Sequence, residues 1–227
     1  MPSRRPLLGA IGKHVVFCDG IDDYGRLPFS LSGSFTVISM FKCHGNALHG
    51  YEQYIAFEHD SGGADWNIGL TNEGTYFRFA IWDTTGTFRA ITYGKLKYGT
   101  YYVGAGVYDE ENLELRGYIN GSLFNTYSLP NPMHDVANTL NIGNNYGGGR
   151  GFYGEIAYVL AYEEVLSDSD IQKVTKALKN WEQNIPVTDG LILGLTPYSL
   201  DCENGIWNDI SGNNNNATLY GARCLWI

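Results

Sequence analysis

Apolar and polar residues alternate at every second position within short runs along most of the chain, and Gly, Asn and Asp cluster between the runs. These runs fall at residues 14–18, 35–42, 54–59, 66–70, 76–83, 88–93, 101–108 and 114–120. A period of two sends successive side chains to opposite faces of a strand, and turn residues at this spacing mark an all-β sandwich or barrel. In the run from Tyr76 to Trp82, Phe77, Phe79 and Ile81 share one face, which reads as core, while Tyr76, Arg78 and Trp82 share the other. Further on, Val103, Ala105 and Val107 alternate with Tyr102, Gly104, Gly106 and Tyr108, and Leu115 and Ile119 alternate with Arg116 and Tyr118. Each of these strands has one face that burial need not claim. Asn120-Gly121 is a two-residue hairpin turn, since both residue types tolerate positive φ. The period changes once. Ile171, Val174, Thr175, Leu178 and Trp181 recur at helical spacing behind Ser167 as N-cap and Asp170 as the capping-box acid, predicting one helix over about 168–182 on the outside of the sandwich.

Composition adds bounds. The chain has 227 residues, 44% of them hydrophobic, enough to bury a full core as one domain. A formal charge of −9, with no basic cluster beyond Arg4-Arg5, leaves nothing to neutralise a row of phosphates, so nucleic acid is not an expected partner. The apolar run 191–195 falls far short of the roughly 20 residues that a bilayer requires, so membrane insertion is not expected either. The N-terminus makes a poor secretory signal. Four cysteines, Cys18, Cys43, Cys202 and Cys224, contain no C-x-x-C pair, which argues against zinc and leaves buried thiols or two disulfides open.

From residue 14 onward the chain resembles laminin-G-like, concanavalin-type domains. Val16-Phe17-Cys18-Asp19-Gly20-Ile21-Asp22-Asp23-Tyr24 is similar to that family's opening strand and turn. Phe35-Thr36-Val37, the hairpin from Leu115 to Leu123, Leu140-Asn141-Ile142-Gly143 with Phe152-Tyr153-Gly154-Glu155-Ile156, and Leu166-Ser167-Asp168-Ser169-Asp170-Ile171 follow in family order. The resemblance covers 14–183 and implies a two-sheet antiparallel jelly-roll sandwich with one peripheral helix. Residues 190–227 are out of place. The stretch Trp207-Asn208-Asp209-Ile210-Ser211-Gly212 resembles a segment that in this family precedes the Asp-Gly turn, so 190–227 is expected to complete the sandwich of 14–183, in the same molecule or in a neighbouring copy. The second route would make a homo-oligomer by C-terminal strand exchange. A Cys18–Cys224 bridge would fit completion and is one of three pairings.

The family includes glucanases whose two carboxylates sit as Glu-x-Asp-x-Glu on one strand, and no such run exists here. The acidic stretch from Asp109 to Glu114 has the wrong spacing and reads as a solvated turn. Five scattered histidines make no catalytic motif, so no enzyme is expected. Relatives of this fold often hold calcium in acidic loops. Asp19, Asp22 and Asp23 are candidates for it, although stabilisation of the turn by side-chain to backbone hydrogen bonds is the favoured reading of them. For function, the faces opposite the core would gather Tyr76, Arg78, Trp82, Tyr102, Tyr108, Arg116 and Tyr118 if their strands were neighbours. Aromatic rings can stack on pyranose C–H faces while Arg and Asn bond hydroxyls. A lectin-like carbohydrate module is therefore expected, with a structural or adhesive protein of a virus particle or cell surface as the alternative. The setting is then extracellular, cell-surface or virion. The loop 144–150, rich in Gly, is a second candidate site.

Overall fold

The computed structural model describes residues 13–60, 63–71, 74–135, 139–144 and 149–227. Strands β1 (His14–Asp19), β2 (Tyr24–Leu27), β3 (Phe35–Cys43), β4 (Gln53–Asp60), β5 (Gly63–Leu70), β6 (Tyr76–Trp82), β7 (Phe88–Lys95), β8 (Tyr101–Asp109), β9 (Glu114–Ile119), β10 (Ser122–Ser128), β11 (Leu140–Ile142) and β12 (Tyr153–Tyr162) precede the helix α1 (Asp168–Lys179). Four more follow it: β13 (Leu191–Asp201), β14 (Ile206–Asp209), β15 (Ala217–Tyr220) and β16 (Arg223–Trp226). Hydrogen bonding joins fourteen of them, always antiparallel, in the order β10-β9-β8-β3-β12-β13-β14-β15-β2-β11-β4-β5-β6-β7, and off this path β1 pairs with both β12 and β16.

This ribbon of strands curls over on itself, and the result is the jelly-roll sandwich. The first layer, β10-β9-β8-β3-β12, stacks on the second, β2-β11-β4-β5-β6-β7. Phe77, Phe79 and Ile81 of β6 are fully buried between the layers with Phe35, Phe41, Trp66 and Tyr108. Gly104 and Gly106 of β8 show how closely the layers approach. A Cβ on either would lie 2.3 Å from the ring of Phe77 or Phe79.

The outer side of the first layer is buried too, beneath α1. Ile171, Val174 and Leu178 of the helix pack on Ile38, Val103, Ala105, Tyr118 and Leu160. Ser167 caps the helix as expected, its Oγ accepting from Asp170 N at 3.2 Å. The acid of the capping box accepts from the Ser167 hydroxyl at 2.6 Å. The helix stops at Lys179, short of 182, because Trp181 takes a left-handed φ of 56°. Asn120 and Gly121, at φ 52° and 83°, form the expected β9–β10 turn. No helix of the described residues is long and apolar enough to cross a membrane.

The C-terminal strands pair within the same chain. β13 lies along β12 (Val159↔Leu195), β15 along β2 (Leu219↔Gly25) and β16 along β1 (Val16↔Cys224). The disulfide joins Cys202 to Cys224, not Cys18 to Cys224. Cys224 sits across from Val16, two residues short of Cys18, while the end of β13 brings Cys202 to a Cα–Cα distance of 5.9 Å. Cys18 and Cys43 remain buried thiols.

Candidate functional site

The seven side chains expected on one face divide among three places. Tyr102 and Tyr108 point inward with Gly104 and Gly106. Tyr108 is 1% exposed in the inter-layer core, its hydroxyl accepting from Met133 N at 2.9 Å. The Tyr102 ring packs at the edge of that core, and its hydroxyl accepts from Lys97 N. Tyr118 and Arg116 belong to the helix side. The Tyr118 hydroxyl donates to Asp168 Oδ1 at 2.7 Å at the start of α1, and Arg116 reaches Tyr118, Asp168 and the Leu166 carbonyl. Only Tyr76, Arg78 and Trp82 remain together, on the outer face of β6. Alternation had separated the faces correctly, but Gly104 and Gly106 lie on the inward face of β8, where they admit the Phe rings of the opposite layer.

Around those three residues the second layer presents a continuous outer face. Direct cross-strand partners run Thr218–Arg26–Asn141–Phe57–Asn67–Ala80–Ala90 from β15 to β7. Tyr54, Gly69, Arg78 and Thr92 form the neighbouring row. Tyr54 and Phe57, three apart, stack with ring centroids 4.5 Å apart because a register shift between Tyr54 and Ala56 turns both outward. Phe57 meets Trp82 edge-on at 6.2 Å, and Trp82 meets Phe88 at 4.8 Å. Tyr54, Phe57, Asn67, Arg78 and Asn141 form a buried floor, while Tyr51, Trp82, Phe88 and Arg150 are wholly or partly exposed around it.

The floor carries polar atoms without partners. Both the oxygen and the nitrogen of the Asn141 amide, Asn67 Nδ2, Arg78 Nε and Thr71 Oγ1 are buried and unbonded. Native proteins pair nearly all such groups, and each one left over retains a desolvation cost of about 1–3 kcal/mol. Beside them lies a depression of about 310 Å³ lined by Gly50, Tyr51, Glu52, Thr71 and Arg78. Glu52 there bridges two arginines, with Oε1 3.0 Å from Arg78 Nη1 and Oε2 3.3 Å from Arg150 Nε. Burial raises its carboxyl, but the bonds and charge of Arg78, with help from Arg150, outweigh that and hold it below the usual range. A second depression of about 480 Å³, lined by Arg26, Pro28, Thr139, Thr218 and Tyr220, flanks the opposite end of the long row.

Asn67, Asn141, Tyr54, Phe57 and Glu52 were not anticipated as site residues, whereas Arg150 belongs to the loop expected as a second candidate site. Asn67 and Asn141 carry the one usable signal, an amide where a strand pattern would accept an apolar residue. Of the candidate loop 144–150, residues 145–148 lie outside the described residues. Asn144 and Arg150 border the site, with Asn144 Oδ1 accepting from Arg150 N at 3.3 Å.

Asp19, Asp22 and Asp23 do converge, each offering an oxygen within 4.8 Å of the others. Two of these acids already serve the turn, since Asp19 Oδ1 accepts from Ile21 N and Asp23 Oδ2 from Asp19 N, both at 2.8 Å. Burial, with repulsion from Asp19 and Asp22, raises the Asp23 carboxyl. The remaining oxygens suit a hard cation, yet the turn accounts for Asp19 and Asp23 without one.

Comparison with known proteins supports the same architecture. The family model Laminin_G_3, described as the concanavalin A-like lectin/glucanases superfamily, matches residues 19–172. No curated protein matches the chain. Among solved structures, a candidate carbohydrate binding protein from Bacteroides ovatus superimposes with a TM-score of 0.73 at 16% identity, covering 95% of this chain and 60% of that one. This chain thus spans about three-fifths of that relative's length. A SAP-like pentraxin from Limulus polyphemus matches with a TM-score of 0.59 at 17% identity, over 74% of this chain and 83% of its own. The CBM40 of the Ruminococcus gnavus IT-sialidase, solved with α2,3-sialyllactose, matches with a TM-score of 0.55 at 17% identity, over 70% and 96%. These identities speak to fold alone. The family match spans more than half of the chain, and by it the chain belongs to the laminin-G-like group of the concanavalin A-like lectin/glucanases superfamily.

Proposed function

We propose that this chain is a non-catalytic carbohydrate-recognition module that binds sugar across the outer face of β4, β5 and β6. The observation that carries the reading is the set of unpartnered polar atoms on Asn67, Asn141, Arg78 and Thr71, gathered on one outward face beside aromatic rings. Sugar hydroxyls both donate and accept, so they can pair amides and a guanidinium at once while ring C–H groups pack on Trp82 and Phe88. Carbohydrate-binding neighbours on the same fold support the reading.

Hydrolysis fits less well. Two of the buried carboxylates are already committed to neighbours. Glu155 is held by Lys42, His44 and the Tyr101 hydroxyl, and Asp83 by Thr85, Thr87 and Arg89. The acidic stretch from Asp109 is a turn in which Asp109 accepts from Asn112 N. A disulfide between Cys202 and Cys224 suits an oxidising setting outside the cytosol, at a cell surface or on a virus particle.

A glycan array read with wild type, Trp82→Ala and Tyr118→Phe tests the proposal. Binding by wild type and Tyr118→Phe, weakened about tenfold in Trp82→Ala by the loss of one stacking ring, is expected. Failure of wild type to bind any glycan would sink it. The adhesive alternative draws on β16, which pairs only with β1 among the described strands and exposes Leu225 and Trp226. Concentration-dependent polymers in light scattering, together with a blank array, would favour that alternative.

A further inference from the structure

Resting on the carbohydrate reading, we infer that this face selects sugars bearing a carboxylate, and that the Arg78–Glu52–Arg150 unit makes the selection. Two guanidinium groups share one carboxylate, so the unit keeps a net positive charge in a chain of formal charge −9. Glu52 occupies Nη1 of Arg78 and Nε of Arg150. The two terminal nitrogens of Arg150 have no bond among the described residues, and its guanidinium lies over the rings of Tyr54 and Tyr51, 5.4 and 5.8 Å from their centroids. These rings orient it as a planar two-donor fork, the geometry that accepts a carboxylate in bidentate fashion.

The adjacent depression adds what a saccharide needs beyond its charge. Arg78 and Thr71 line it, each with one buried polar atom that lacks a partner, and its volume of about 310 Å³ lies at the small end of ligand sites, enough for one ring. The carboxylate pairs with Arg150, and the hydroxyls of the ring that bears it satisfy the Arg78 and Thr71 groups. Glu52 prevents the pair from acting as an indiscriminate anion trap. A neutral sugar gains the hydroxyl contacts and leaves the Arg150 fork unpaired.

Calorimetric titration of the intact protein compares lactose with sialyllactose, and oligogalacturonate with its methyl ester, alongside sulfated lactose. At least one carboxylate sugar should bind about tenfold or more tightly than its neutral counterpart, as expected for a charge-assisted bidentate pair. Arg150→Ala should erase that preference, as should raising the salt concentration. Arg150 is partly exposed, so its replacement tests the idea even where Arg78→Lys fails to fold. Equal affinity for neutral and acidic partners overturns the inference while leaving carbohydrate binding intact. So does a preference for sulfate over carboxylate, or an acidic preference that survives in Arg150→Ala. Absence of binding to every sugar overturns both readings together.

Discussion

Glu58 is fully buried in β4, where Oε1 accepts from Leu31 N at 2.5 Å and Oε2 has no partner. Burial pushes its carboxyl well above the ordinary value of 4.5. The folded state therefore holds this proton more tightly than the unfolded chain does, so its stabilisation is complete below that ordinary value and is lost as pH rises above it. Glu52 and Glu155 act in the opposite sense. Both are raised by burial, but bonds from Arg78 to the one and from Lys42, Tyr101 and His44 to the other bring them below their ordinary value. Their contribution is present above that value and is lost as pH falls through the lowered one. Stability should therefore decline on both sides of a mildly acid optimum. Glu58→Gln should flatten the decline above pH 4.5 and leave the acid limb unchanged. Melting curves of both proteins across pH 3–8 would show this, and parallel neutral limbs would refute it.

At the scale of elements, α1 is held to the first layer by its apolar stripe and by the bond from Tyr118 to Asp168. Tyr118→Phe removes two hydrogen bonds, one to Asp168 and one from Arg116, and no packing, so it should cost about 2 kcal/mol, a fall in Tm of about 4–8 °C, with sugar affinity untouched. A loss of binding in that variant would return Tyr118 to the site. The strands themselves were legible. Period-two runs placed β3, β6, β8 and β9 within a residue or two because each is bounded by turn residues that admit no continuation. Which face of each strand is covered was not legible, because that depends on what lies opposite. Gly104 and Gly106 look like open space in the sequence and are the point of closest approach between layers in the fold. The outward pairing of Tyr54 with Phe57 was hidden for a related reason, since the shift in β4 breaks the alternation that would have assigned their faces. Arg78 and Trp82 could be read from the sequence as one outward pair. Glu52 and Arg150 could not, because they meet only through tertiary structure.

For the whole molecule, residues 190–227 matter more than their position at the end of the chain suggests. β13, β15 and β16 pair with β12, β2 and β1, so this segment spans both layers. The disulfide closes a loop whose ends are 22 residues apart, which is worth about 3 kcal/mol by the chain-entropy account. Reduction should lower Tm by roughly 6–12 °C, and a Cys202→Ser, Cys224→Ser double variant should show the same Tm with and without reductant. An unchanged Tm on reduction of the wild type would mean that the strand pairing alone fixes the segment. The same link also determines how the domain meets mechanical tension. A load drawn through Ile227 passes from Cys224 directly into the end of β13 and bypasses β14 and β15. A contour of about 75 Å, at roughly 3.4 Å per residue over that separation of 22, then stays out of any extension of the chain until the sulfurs are reduced.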